Sequence, residues 1–276
     1  GKTWLISFAL RALSQGLFTT PRCHIVWSWD GAVSILWILL SKIFWKKSIV
    51  TVHWLDVTWK PKVYQLLIPK ILNLHDIIVC VSENTRGECK RRWVNPSKMI
   101  VVPNTLSLNT LQKPEPFDSV AFLESIGIQK WKKKILFSIG RWIKRKGFHW
   151  FLEEVVPHLS PEKYHYILAG FWPYEDTYRK IISEKMLENV TILHKISDEL
   201  KSKLFVCSDT FVMPNIKVEW DVEGFGIVLL EADFYRIDIL CSDIDGIWCA
   251  TKTLTSKCAL LGSENASEWL CALKDL

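Results

Sequence analysis

No apolar run in this chain approaches the roughly 20 residues that a membrane-spanning helix needs. The longest candidate, 32–40, is broken by Ser41 and Lys42. Cysteine is present but unorganised: Cys23, Cys80, Cys89, Cys207, Cys241, Cys249, Cys258 and Cys271 form no C-x-x-C pair and no cluster with histidine. That argues against a zinc site and points to free thiols in a reducing cytosol, several of them packed as small hydrophobes. No G-x-G-x-x-G follows a strand, so a dinucleotide-binding dehydrogenase is disfavoured. No leader segment is visible, and the chain opens on Gly1. Glycine is scarce as well. There are 12 glycines against 15 tryptophans, where ordinary usage of about 7% would supply roughly 19 glycines.

What is there is ordinary globular material, 49% apolar and 23% charged over 276 residues, enough for two cores. The net charge of +6 favours phosphates or an anionic membrane surface and is weak as a nucleic-acid signal. Continuous apolar, β-branched runs predict strands over 24–29, 48–54, 77–82, 99–104, 134–140, 166–170, 190–194, 210–214 and 238–242. Their lack of alternation suggests burial on both faces, as in parallel sheets. Helical patterns lie between them, at 34–46, 63–74, 148–159, 175–185 and 225–234. This rhythm reads as α/β. The pattern loosens between Leu106 and Lys134, where Pro114, Pro116 and the basic run 130–134 (interrupted by Trp131) mark a linker. Two domains are therefore expected, 1–112 and 113–276.

Two segments carry candidate chemistry. The first, Gly140-Arg141-Trp142-Ile143-Lys144-Arg145-Lys146-Gly147, follows a predicted strand and precedes a helix. Open parallel sheets bind ligands at the carboxyl ends of their strands, where Arg141 and Lys146 could hold a diphosphate. The competing view is a solvated basic turn. The second, Glu223-Gly224-Phe225-Gly226-Ile227-Val228-Leu229-Leu230-Glu231, sets two carboxylates around a glycine-flanked helix start. A helix beginning near Gly224 would aim free N–H groups at the sheet edge and put Glu223 at its N-terminus. Alternatively it is a core helix whose second glutamate faces solvent.

Taken together, in their order and strand-end contexts, these segments resemble the C-terminal domain of the retaining glycosyltransferases of family 4. Strands and strand ends elsewhere carry the same likeness: 78–82, Val101-Val102-Pro103-Asn104, Thr51-Val52-His53, Val212-Met213-Pro214 and 239–246. The resemblance implies a GT-B fold, two Rossmann-like α/β domains with parallel sheets facing across a cleft. It implies a transferase moving a sugar from a nucleotide-diphosphate donor, with retention, to a saccharide or lipid-linked acceptor in bacterial cell-surface polysaccharide or glycolipid synthesis. On the matching positions Arg141 and Lys146 stabilise the leaving diphosphate, and Glu231 accepts hydrogen bonds from the ribose. Gly140 lets the backbone approach the donor. Glu223 with the backbone of Gly224, Phe225 and Gly226 contacts the donor sugar, and His53 touches that sugar or places the acceptor. No metal or other cofactor is expected. The rival reading is a catalytically silent GT-B-like binding or assembly module.

Two departures stand out. The family's opening strand with its glycine-rich loop and its closing crossover helix have no counterpart, so a fragment or reduced form is expected. Trp54, Trp93, Trp172 and Trp220 fall where the family favours glycine. One account is a gene whose UGA codons are read as glycine. The other is aromatic enrichment, with indoles stacking on sugar or filling core. The apolar 34–46 segment with Lys42, Lys46 and Lys47, and Lys90-Arg91-Arg92 on another helix, suit peripheral contact with anionic lipid from the cytoplasmic side.

Overall fold

The structure is a computed structural model and describes residues 2–107, 111, 113–129, 133–219, 221 and 223–275, without the side chains of 2–10. Position 112, Trp131 and Trp220 lie outside the described residues. The chain divides into two compact units, Gly1–Asn104 and Thr105–Leu276.

The N-terminal unit runs α1 (Lys2–Thr19), β1 (Ile25–Ser28), α2 (Ser34–Ile43), β2 (Lys47–Val52), α3 (Trp54–Thr58), α4 (Lys62–Leu74), β3 (Ile77–Cys80), α5 (Glu83–Arg91) and β4 (Met99–Val101). Its four strands are parallel in the order β1-β2-β3-β4. Strands added always in one direction by right-handed crossovers place their helices on one face of the sheet. Val50, Val52, Ile78 and Cys80 point to that face and pack with Val57, Ile68 and Leu72. The other face carries the register row Trp27, Ile49 and Ile77. It remains partly open, with Ile25 52% and Trp27 50% exposed.

The C-terminal unit runs α6 (Ser119–Ser125), β5 (Lys134–Trp142), α7 (Phe148–Glu154), β6 (Tyr164–Pro173), α8 (Glu175–Glu184), β7 (Val190–His194), α9 (Asp198–Cys207), β8 (Thr210–Met213), α10 (Ile227–Phe234), β9 (Asp238–Ser242), α11 (Ile247–Thr251), β10 (Cys258–Leu261) and α12 (Ala266–Lys274). The six parallel strands are ordered β10-β9-β8-β5-β6-β7. Both faces are buried. Ile135, Phe137, Phe211 and Ile239 fill one core; Leu136, Val212 and Leu240, from the alternate positions, fill the other. Continuous apolar runs are what this double burial requires.

Several sequence expectations shift. The first helical pattern stops at Ile43 rather than at 46, and 148–159 breaks into α7 and a short 3-10 turn, Val156–His158. Strand β10 and helices α1, α3, α6, α9, α11 and α12 lie outside the expected elements, and the strand expected to reach Trp54 stops at Val52, where α3 follows. Of the tryptophans at glycine-like positions, Trp93 has φ 64°, the left-handed region that indoles enter at a cost. It follows α5, where Val94 N donates to Cys89 O at 3.1 Å. Gly127 closes α6 in the same way, at φ 82°, and Trp45 closes α2 at φ 56°. Glycine is the residue usually found at this helix-closing position. Trp45 is 95% and Trp93 88% exposed, so neither indole is recruited to a core. Trp54 departs from the expectation: it opens α3 in helical conformation, and its buried Nε1 has no partner among the described residues. Trp172 is exposed and precedes a cis proline, Pro173.

Candidate functional site

In the C-terminal unit the strand order reverses between β5 and β8, because the chain builds outward through β6 and β7 and then returns to the other side of β5. Open α/β sheets bind ligands beyond the carboxyl ends of the strands at such a reversal. The loops leaving β5 and β8 flank it. They are tied by Ile216 N, which donates to Arg145 O at 3.0 Å. Gly147, at φ 66°, makes the close approach possible: a Cβ there would lie 1.8 Å from Pro214 O.

The side chains converge on one carboxylate. Glu223 Oε2 accepts from Lys146 Nζ at 2.6 Å, from Asn215 Nδ2 at 3.1 Å and from Arg145 Nη1. Arg145 Nε donates to Asp221 Oδ1 at 3.0 Å. Arg145, Lys146 and Glu223 are largely buried. Burial works to raise the Glu223 carboxyl, but the Lys146 ammonium and the Arg145 guanidinium outweigh it and hold its pKa at about 2. The Lys146 pKa is lowered as well, by desolvation first, which the Glu223 charge only partly offsets. Arg141 is exposed at the end of β5, close enough to act on Lys146 electrostatically, and makes no ion pair among the described residues.

Helix α10 starts at Ile227, not near Gly224, because Gly226 takes the left-handed conformation (φ 78°) just before it. Glu223 is therefore in the loop with its cations rather than at a helix N-terminus. Gly224 and Phe225 belong to the same loop, Phe225 buried in the core. Glu231 lies on α10 and is not solvent-facing. Lys201 of α9 reaches it at 3.3 Å and also contacts Asp198 at 3.3 Å. Gly140 lies beside the Lys146 stem, where a Cβ would make only an ordinary contact of 3.5 Å with Lys146 Cε.

His53 belongs to the N-terminal unit, at the carboxyl end of β2, and caps α3. Its N–H donates to Asp56 Oδ2 at 2.8 Å. Asp56 is buried and its carboxyl is raised, by desolvation above all. The sequence reading missed Arg145, Asn215 and Lys201. Only Arg145 carried a local signal, as a third cation in the loop after β5. Among the described residues no group of three or more His, Cys, Asp or Glu side chains could hold a metal ion.

Two parallel-sheet α/β units, the second with a strand-order reversal beside β5, have the architecture of the GT-B fold. Residues 124–252 match the family described as Glycosyl transferases group 1. O-antigen chain mannosyltransferase B of Escherichia coli is 25% identical over 175 residues, 62% of this chain and 44% of that protein. The chain thus spans less than half of that relative's length. HepE of Anabaena in complex with UDP and glucose superposes with a TM-score of 0.76 at 14% identity, over 95% of this chain and 72% of that one. Sucrose-phosphate synthase of Thermosynechococcus elongatus gives 0.71 at 18% identity, over 91% and 64%. The sequence match to a glycosyltransferase family thus covers part of the chain, and the likeness to the solved structures shows the GT-B fold.

Proposed function

We propose that this chain is a retaining glycosyltransferase of family 4, moving a sugar from a nucleotide-diphosphate donor to a saccharide or lipid-linked acceptor in bacterial cell-surface polysaccharide or glycolipid synthesis. The observation that carries the reading is the Lys146–Glu223 pair at the β5/β8 reversal, with exposed Arg141 beside it. Arg141 and Lys146 take the diphosphate and stabilise the charge that grows on the leaving group. Glu231 accepts from the ribose hydroxyls. Glu223 and the backbone of Gly224, Phe225 and Gly226 meet the donor sugar beside Gly140. His53 contacts the sugar or orients the acceptor, and the departing phosphate receives the acceptor's proton.

Support for the donor class comes from HepE, solved with UDP and with UDP-glucose. The mannosyltransferase relative favours a saccharide acceptor. No described helix is long and apolar enough to cross a membrane. The reading places the enzyme in the cytoplasm, with Lys42, Lys46, Lys47 and Lys90-Arg91-Arg92 available to an anionic inner leaflet. Failure to co-sediment with anionic vesicles at low salt removes the membrane part alone.

Calorimetric titration with UDP, GDP and dTDP tests the donor site. Binding of one nucleotide, weakened in both Arg141→Ala and Glu231→Ala, is the expected result. A chain that binds none of the three and hydrolyses no nucleotide sugar overturns the reading in favour of a silent module.

A further inference from the structure

We propose that Arg145 is the positioning residue of this site: it holds the Glu223 carboxylate ionised and in place while Lys146 turns to the donor's diphosphate. The inference rests on the donor-site reading above. Three donors, Arg145, Lys146 and Asn215, share the single oxygen Glu223 Oε2. An ammonium paired with that oxygen is partly neutralised, so the donor's diphosphate competes with Glu223 for Lys146. Lys146 can move, having a flexible four-carbon stem and rotatable donors. Arg145 cannot follow it. Its Nε is engaged by Asp221 Oδ1 at 3.0 Å, its carbonyl by Ile216 N at 3.0 Å, and its planar fork is buried.

The charges explain why a second cation is needed. Arg145 and Lys146 balance Asp221 and Glu223 in the ligand-free cluster. Once the diphosphate claims Lys146, Glu223 keeps Arg145 and the neutral Asn215. Remove Arg145 as well, and a buried carboxylate is left with one amide donor. Such a group takes up a proton instead of staying charged. The charged groups facing this carboxylate are Arg145 and Lys146 from the loop after β5, with Asp221 reached through Arg145 and Arg141 acting on Lys146.

The test uses the full chain and two probes, UDP-glucose and GDP-mannose, whose diphosphate esters do not titrate between pH 5 and 8. Wild type is expected to bind one of them with a dissociation constant that is flat across this range. Arg145→Met should bind more tightly as pH falls, by up to about tenfold per unit, the limit for uptake of one proton. Arg145→Lys, which keeps the charge, should restore the flat profile. A flat Arg145→Met profile, or a Lys variant as steep as the Met one, overturns the proposal and leaves the donor site standing. Wild type that binds neither of these probes nor dTDP-glucose removes the donor-site reading and this proposal with it. One measurement needs no variant: calorimetry at pH 5.5 in two buffers of different ionisation enthalpy. Wild type should bind without proton uptake, and uptake approaching one proton overturns the proposal.

Discussion

In the C-terminal unit β5 sends Ile135 and Phe137 into one core and Leu136 into the other, so its sheet is covered on both faces. In the N-terminal unit β2 sends Val50 and Val52 into a core but sets Ile49 beside half-exposed Trp27. The strands of both sheets are mostly apolar; what differs is the cover. Parallel sheets normally bury both faces, and hydrophobic stabilisation scales with the area removed from water. The described packing therefore concentrates stability in the unit that carries Arg145, Lys146 and Glu223, and leaves the unit that carries His53 less firmly held.

Expression of each unit alone gives the largest expected effect. The 105–276 segment should unfold in one sharp denaturant transition. The 1–104 segment should melt broadly and bind an apolar dye. Equally sharp transitions in both would break the comparison.

Next comes the buried ion cluster. Glu223→Ala leaves Lys146 buried without a carboxylate and Arg145 with Asp221 alone, and should cost about 3–5 kcal/mol in the C-terminal transition. The sign with pH is fixed by the depressed carboxyl, ordinarily near 4.5 and held at about 2. Its contribution is complete above pH 4.5 and is lost as pH falls toward 2. Wild type should show that loss and the variant should not, read by chemical denaturation across the range.

Two histidines sharpen the contrast. His75, in the N-terminal unit, is buried with neither ring nitrogen bonded among the described residues, and desolvation lowers its pKa to about 4. His165, in the C-terminal unit, is lowered to about 4 for the same first reason but shares a 2.9 Å hydrogen bond with Thr191. For both, stability is complete above pH 6.5 and falls as pH drops toward 4. His75→Phe should remove about 2 kcal/mol of that acid sensitivity from the N-terminal unit. A wild-type N-terminal transition that is flat from pH 7 to 4 would count against it.

The smallest effect concerns the helix ends. Trp45→Gly and Trp93→Gly should each stabilise the N-terminal unit by about 0.5–1 kcal/mol, since glycine takes the left-handed backbone without a Cβ clash. Gly127→Ala, at the equivalent position of the C-terminal unit, should cost about as much. Peptide masses of protein from its natural source decide whether glycine already stands at 45 and 93.

Much of this fold was legible. The runs at 190–194 and 238–242 coincide with β7 and β9; in β9 the central Ile239, Leu240 and Cys241 are all buried, as a strand covered on both faces requires, while β7 at the sheet edge is only half-buried. The candidate site was legible only in its local parts. Arg141, Lys146, Glu223 and Glu231 could be read from two short segments, yet Glu223 was expected at the N-terminus of a helix whose start Gly226 in fact delays. Arg145 resembled any cation of a basic turn. Its carboxylate partner lies 78 positions away, and that of Lys201 lies 30 away.

Sequence by itself determined the α/β class, most strand positions and the cation–carboxylate content of the site, because burial and charge are written residue by residue. Tertiary structure alone decided the strand order and the reversal between β5 and β8. It also decided which cation meets which carboxylate, and which face of each sheet is covered. Those outcomes depend on contacts between segments far apart in the chain, and on the cost of burying a charge that has no partner.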